Sequence, residues 1–236
     1  VSEAEATRPV LAVVPAKATS RRAPGKNETP LAGVPMFLHA VRLAKSVSSV
    51  DLVVVSSDSI SVLRSAQAEA VRTHCRDETL CQEDVTNFEV LVQLRAELLA
   101  EGLDPEIIAL LQPTTPFRRP EPLDRMISEF RENQSADSLV TVTPVSRMTG
   151  RVEGRRWVPD ETPGCRLKSA AGRSALTGHA FLLRPERTLD QNSLLGESIH
   201  PVILPESWLD IDVDTPQDLA LARQIAPFYF AETAAS

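Results

Sequence analysis

The sequence predicts an α/β fold, a doubly wound and mostly parallel sheet with one small irregular excursion. Three observations predict it. Short continuous apolar runs recur at 10–14 (VLAVV), 51–56 (DLVVVS) and 107–111 (IIALL), the composition of strands covered on both faces. Segments with helical spacing of apolar residues separate them, and strands alternating with helices argue for a parallel sheet with helices on both sides. The 236 residues, 42% apolar, hold no internal repeat and no linker, so the chain reads as one domain over 1–236 around one core.

In chain order, strand 10–14 ends at Pro15, and a polar, basic, proline-interrupted loop follows. Pro35 opens a helix carrying Phe37, Leu38, Val41, Leu43 and Ala44. After strand 51–56, residues 60–69 read as helical. Residues 88–100 form a stronger helix, with Leu91, Leu94, Leu98 and Leu99 near one face. Strand 107–111 runs into Gln112-Pro113, helix 122–132 follows, and 138–145 is another strand. Residues 147–175 are rich in Gly, Pro and Arg and lack long periodicity, and 147–178 is expected to be an excursion for acceptor binding or dimerisation. Short strands are expected at 180–183 and 202–204. An acidic strand is expected at 209–214, a closing helix beginning over 216–225, and a frayed end at 232–236.

Composition excludes several classes. The net charge of −7 opposes bulk nucleic-acid binding, which needs a basic face. No apolar run reaches the roughly 18 residues of a membrane span, and residues 1–9 lack a signal pattern, so a cytoplasmic protein is expected. Cys75, Cys81 and Cys165 fit neither a disulfide framework nor a zinc knuckle and read as free thiols.

Ligands of such sheets bind beyond the carboxyl ends of the strands, and four segments fall there: Ser56–Asp58 and three others with more chemistry. The first spans 15–27, where Lys17, Arg21, Arg22 and Lys26 stand without an intervening acid. A loop leaving a strand can aim N–H groups and cations at phosphate, although a solvated basic loop has the same composition. It is not a Walker loop, since Ser20 and Asn27 occupy positions that require Gly and Ser or Thr. The second segment, Gln112-Pro-Thr-Thr-Pro116, is a proline-stiffened turn that either presents Gln112, Thr114 and Thr115 to a ligand or merely ends a strand. In the third, Asp210, Asp212 and Asp214 would share one face of an extended segment. Their repulsion favours a divalent cation; alternatively, Asp214 or Thr215 caps the next helix.

Together these segments resemble the cytidylyltransferases that make CMP-sialic acids and CMP-3-deoxy-manno-octulosonate. Pro15-Ala-Lys-Ala-Thr-Ser-Arg21 with Pro24, Lys26 and Asn27 is similar to their N-terminal signature Pro-Ala-Arg-Gly-Gly-Ser-Lys-x-x-Pro-x-Lys-Asn. Leu111–Arg118 resembles Leu-Gln-Pro-Thr-Ser-Pro-Leu-Arg, Val55–Asp58 resembles Val-Ser-Thr-Asp, and Asp212–Thr215 with Asp218-Leu219 resembles Asp-Ile-Asp-Thr-x-x-Asp-Leu. The resemblance implies a Rossmann-like nucleotidyltransferase that joins CMP from CTP to an anionic small-molecule acceptor, with no nucleic-acid or membrane partner and with a homodimer as the expected assembly. It implies catalytic roles at the triphosphate for Lys17, Arg21 and Lys26. It implies substrate binding by Ser20, Asn27, Arg76, Gln112 and Thr114, with Arg76 helping to seat the cytosine. Mg²⁺ is implied at Asp212 and Asp214.

Departures touch the acceptor more than the nucleotide. Lys17 stands for an arginine and loses its bidentate fork, and Ala18 and Thr19 replace glycines. The middle region is short, and the family's Arg-Gln-x-x-Pro segment has no counterpart. Thr177-Gly-His-Ala-Phe181 stands where the family has Asn-Gly-Ala-Ile-Tyr. His179 reads as an acceptor contact or a structural histidine. Arg151, Arg155, Arg156, Arg166, Lys168 and Arg173 suit either a strongly anionic acceptor or a solvated surface. A sialic-type 2-keto sugar acid is the expected acceptor. A small phosphonate such as phosphonoformate is the main rival, and a catalytically weak CTP-binding protein is the alternative of another class.

Overall fold

The computed structural model describes residues 8–18, 25–82, 84–145, 149–159, 173–204 and 211–234, with backbone alone for 232–234. Strand β1 (Val10–Pro15) is followed by a small hairpin, β2 (Pro30–Leu31) and β3 (Val34–Pro35), and helix α1 (Met36–Ser46). Next come β4 (Leu52–Ser57), α2 (Ile60–Ala68), β5 (Arg72–Cys75), α3 (Asn87–Ala100), β6 (Ile107–Leu110), α4 (Pro120–Glu132) and β7 (Ser138–Pro144). A second hairpin, β8 (Gly150–Glu153) and β9 (Arg156–Pro159), lies within the excursion. The described chain closes with β10 (Ser174–Leu183), β11 (Ile199–Ile203) and α5 (Pro216–Ala234).

Seven strands form one sheet in the order β11-β7-β10-β6-β1-β4-β5. Neighbours are parallel except at β10, which runs antiparallel to both β6 and β7. The chain leaves β1 toward β4 and β5, then returns to β6 on the other side of β1. That reversal leaves a crevice beyond the carboxyl ends of β1 and β6, where open α/β sheets bind ligands.

Strand alternation separates the two faces. Val10, Ala12, Val14, Ile107 and Ala109 pack with α1 and with Leu123, Ile127 and Phe130 of α4. Leu11, Val13, Ile108 and Leu110 turn the other way, onto Leu91, Leu94 and Leu98 of α3. Val213, Phe117, Ala222, Ala226 and Tyr229 make a smaller cluster that seats α5.

Four expectations are corrected. Residues 72–75 are a strand that sequence reading missed: RTHC is polar, but β5 is an edge with only β4 beside it, and His74 alone is buried. The strand placed at 180–183 begins at Ser174, whose first three residues are exposed yet pair with β7 beyond a bulge. Residues 211–214 form no strand. Helix α5 begins over 216–225 as expected but continues through Pro227 to Ala234, into the end expected to fray.

The approach to β11 relies on Asp137, whose Oδ2 accepts from the N–H groups of Glu197 and Ser198 at 2.9 Å each. Gly196 turns the chain there at φ +71°, with its would-be Cβ 2.6 Å from Asp137 Cβ. Left-handed backbone costs a residue with a Cβ about 1–2 kcal/mol, and the clash adds to it. Gly196→Ala is therefore expected to lower unfolding free energy by at least about 1 kcal/mol in a denaturant titration.

Candidate active site

A cleft of 370 Å³ opens at the predicted crevice. Pro15, Lys17, Lys26 and Asn27 line it after β1, Arg76 after β5, and Gln112, Pro113 and Thr114 after β6. Asp212 and Asp214 line it ahead of α5. Lys17, Lys26, Asn27, Arg76, Gln112, Thr114, Asp212 and Asp214 thus reach one cleft from four separate chain segments, whereas Thr115 is buried outside its lining and donates to Gly178 O, and Ser20, Arg21, Asp210 and Trp208 lie outside the described residues. Val85 and Asn87 also line the cleft and were not anticipated. A signal existed: Thr86-Asn-Phe-Glu89 is a capping-box pattern, and the Glu89 carboxylate accepts from the Thr86 N–H at 2.6 Å and hydroxyl at 2.9 Å. That box places Asn87 at the start of α3, against the cleft.

The basic wall is tied to β4. Ala16 N–H donates to Ser56 O at 2.8 Å, Ala18 N–H to Asp58 Oδ1 at 2.6 Å, and Ser57 Oγ to Ala16 O at 2.6 Å. Gly25, at φ +69°, turns the chain into a single 3₁₀ turn, Lys26–Glu28. This turn delivers Asn27, whose amide donates to Lys17 O at 2.8 Å. Lys17 Nζ donates to the Gln82 carbonyl across the cleft wall. The Arg76 guanidinium is buried and donates from Nε to Ser56 Oγ at 3.0 Å, and burial holds its pKa below the ordinary arginine value.

The acidic wall differs from the predicted strand. Asp214 N–H donates to Asp212 O at 3.1 Å, making a tight turn, and Val213 N–H donates to Thr114 O at 2.7 Å. Val213 turns into the core while Asp212 and Asp214 line the cleft, so the alternation holds without a ladder. Lys26 Nζ donates to Asp214 Oδ1 at 2.7 Å and to Val213 O at 3.1 Å, fastening the first loop to a segment 188 residues away. The capping alternative is realised at the next residue. Asp218 Oδ2 accepts from the N–H of Thr215 at 2.7 Å and of Asp214 at 3.1 Å, while Thr215 Oγ1 accepts from Asp218 N–H at 3.2 Å. Capping therefore leaves Asp212 and Asp214 in the cleft.

The Thr215 hydroxyl and N–H hold the Asp218 pKa below its ordinary value. A depressed carboxyl stabilises the fold above its unfolded pKa and loses that contribution as pH falls through the folded one. Asp218→Ala is therefore expected to lower stability fully above about pH 4, with the difference from wild type shrinking below it. Thermal melts across pH 2–6 (a range of about 4 units) read this directly.

Among the described residues no group of three or more His, Cys, Asp or Glu could hold a metal. Two hard carboxylates on an open cleft nonetheless suit Mg²⁺, which takes one or two carboxylates and completes its shell with phosphate and water.

His179 is not in this cleft. It is buried and faces a separate 270 Å³ pocket with Arg119, Arg125 and Glu129, which favours its structural reading. Trp157 packs over Gly150, whose would-be Cβ lies 2.7 Å from the ring. A larger hollow of 640 Å³ beside His39, Arg42, Tyr229 and Phe230 shares no residue with the cleft. Its aromatic lining is ring packing, with the His39 and Phe230 centroids 4.4 Å apart.

A switch-point cleft of this build, on a sheet of this order, defines an α/β nucleotidyltransferase. The chain belongs to the cytidylyltransferase family, whose model matches residues 11–153, and these enzymes are CTP-dependent nucleotidyltransferases. It is 28% identical over 226 residues to CMP-N,N′-diacetyllegionaminic acid synthase of Legionella pneumophila, covering 92% of this chain and 95% of that one. It is 26% identical over 245 residues to 3-deoxy-manno-octulosonate cytidylyltransferase of Anaeromyxobacter sp. (strain K), covering 92% and 98%. Among solved structures, CMP:2-keto-3-deoxy-manno-octonic acid synthetase complexed with CTP superposes with a TM-score of 0.68 at 20% identity, covering 92% and 98%. 4-Diphosphocytidyl-2C-methyl-D-erythritol synthase gives 0.67 at 16%, covering 92% and 99%; both show a shared fold. None of the described helices is long and apolar enough to cross a membrane.

Proposed function

We propose that this chain transfers CMP from CTP to a 2-keto sugar acid of the sialic acid or nonulosonate type, releasing pyrophosphate. The convergence of eight predicted site residues on one cleft carries the reading. The 28% identity to a legionaminic acid CMP synthase over nearly both chains supports the acceptor class.

A hydroxyl oxygen of the acceptor attacks the α-phosphorus of CTP and releases its proton to solvent; the bond from that phosphorus to the bridging oxygen breaks, and pyrophosphate takes the electron pair. Positioning and charge neutralisation do most of the work in such a transfer. Lys17, Arg21 and Lys26 neutralise the triphosphate and leaving group. Ser20 and Asn27 bind the nucleotide beside them, and Arg76 seats the cytosine. Gln112 and Thr114 stand at the boundary with the acceptor. Mg²⁺, held by Asp212 and Asp214, would supply Lewis-acid charge to the phosphates. Lys26 shares the Asp214 carboxylate, so cation and metal would act on one region of the triphosphate. The test is pyrophosphate release from each of the four NTPs with N,N′-diacetyllegionaminate. Release from CTP alone is expected; equal release from UTP or ATP overturns the base reading.

The excursion 147–178 is the proposed dimer contact. Val152 and Trp157 pair across β8–β9 and are 74% and 49% exposed, and an isolated two-stranded hairpin needs such cover. Sedimentation at twice the 25.8 kDa chain mass is expected; a monomer at assay concentration contradicts it.

A further inference from the structure

One buried arginine fastens the turn after β6 to the bulge in β10, and we propose that Arg118 is a positioning residue that sets Gln112 at the acceptor end of the cleft. Calling that end the acceptor end rests on the function proposed above.

The bulge creates the need. Between Leu176 and Phe181, β10 advances five residues while β7 advances only from Val142 to Val140. Backbone groups in the extra length lose ladder partners and must find others. Thr141 Oγ1 accepts from Ala180 N–H at 3.1 Å, and Thr177 Oγ1 accepts from His179 N–H at 3.3 Å. The freed carbonyls turn to Arg118: Nε donates to His179 O at 2.5 Å and Nη2 to Gly178 O at 3.1 Å. The same Nη2 donates to Gln112 O at 2.7 Å and to the Thr115 hydroxyl. Thr115 Oγ1 in turn donates to Gly178 O at 2.9 Å.

The fastening reaches the Gln112 side chain through Gly178. A Cβ there would stand 3.3 Å from Gln112 Oε1 and 3.1 Å from Thr115 Cγ2. Gly178 thus forms a flat backbone wall against the carboxamide, and Arg118 holds that wall in place.

The cost of this arrangement argues for a positional role. Arg118 is 5% exposed, and no carboxylate pairs with it among the described residues. Burial pulls its pKa down to about 9, against the opposing pull of Tyr229 and the Asp212 carboxylate, as expected for a cation kept from water without a direct ion pair. A planar fork holds acceptors on two chain segments in one fixed geometry, which a lysine on its flexible stem does not impose. The hydrogen bonds that hold Lys17, Lys26 and Arg76 do not involve Arg118, so losing it should spare nucleotide binding.

Two variants test this. Arg118→Lys keeps the charge and breaks the fork. Gly178→Ala keeps the arginine and pushes on Gln112, so it decides the matter even if the first variant fails to fold. Calorimetry with CTP alone is expected to give wild-type affinity for both. With N,N′-diacetyllegionaminate, kcat/KM for the acceptor should fall about 100-fold, the scale of a misplacement near 1 Å. Equal losses in CTP affinity and acceptor kcat/KM, or no loss in either, overturn the proposal. Wild type failing to turn over this acceptor would count against the acceptor reading alone. Crystals of the two variants then decide for Arg118: a displaced Gln112 carboxamide supports it, and an unmoved one overturns it.

Discussion

Asp214→Asn is expected to lower kcat by about 10²- to 10³-fold, the scale on which one preorganised electrostatic group acts. The substitution keeps shape and removes charge. Asp214 receives Lys26 Nζ at 2.7 Å and stands beside Asp212 in the cleft. Without its charge, the proposed metal site keeps a single carboxylate, and Lys26 loses its ion pair, keeping only neutral acceptors in the amide oxygen and the Val213 carbonyl. The half-saturating Mg²⁺ concentration should therefore rise along with the fall in kcat. Turnover near wild type across a Mg²⁺ titration would refute the metal role.

Lys26→Met is expected to cost a similar factor of about 10²–10³, in kcat/KM for CTP. The Lys26 side chain is only 11% exposed, so its charge faces the cleft with little solvent screening. It also closes the ring between the loop after β1 and the segment before α5. Lys26→Arg should restore part of the loss, because it keeps the charge with altered reach. Since Lys26 and Asp214 share one contact, the double variant should fall well short of the product of the two single effects. Steady-state kinetics on all three proteins measures this coupling, and full multiplicativity would show that the two groups act independently.

Much of the architecture was legible because its strands are buried on both faces. VLAVV, LVVV and IIAL carry their identity in uninterrupted apolar runs, and the first and third end where the cleft begins. The cleft residues were legible for the same reason, as short linear motifs at strand ends. Structure that depends on distant partners was not. RTHC becomes β5 only because β4 offers an edge. Residues 211–214 take their place from Thr114 and Lys26 rather than from a ladder. Arg118 reads in sequence as the last letter of a turn motif, yet its acceptors at Gly178 and His179 lie 60 and 61 residues away.

The direct test of the central claim is a competition read by product mass. Wild-type protein, CTP and Mg²⁺ are mixed with equimolar N,N′-diacetyllegionaminate, N-acetylneuraminate, 3-deoxy-manno-octulosonate and phosphonoformate. The predicted result is a CMP conjugate of a nine-carbon 2-keto acid, formed in step with pyrophosphate. A CMP–phosphonate product would contradict the acceptor, and CTP binding with no conjugate and no pyrophosphate would contradict transfer itself.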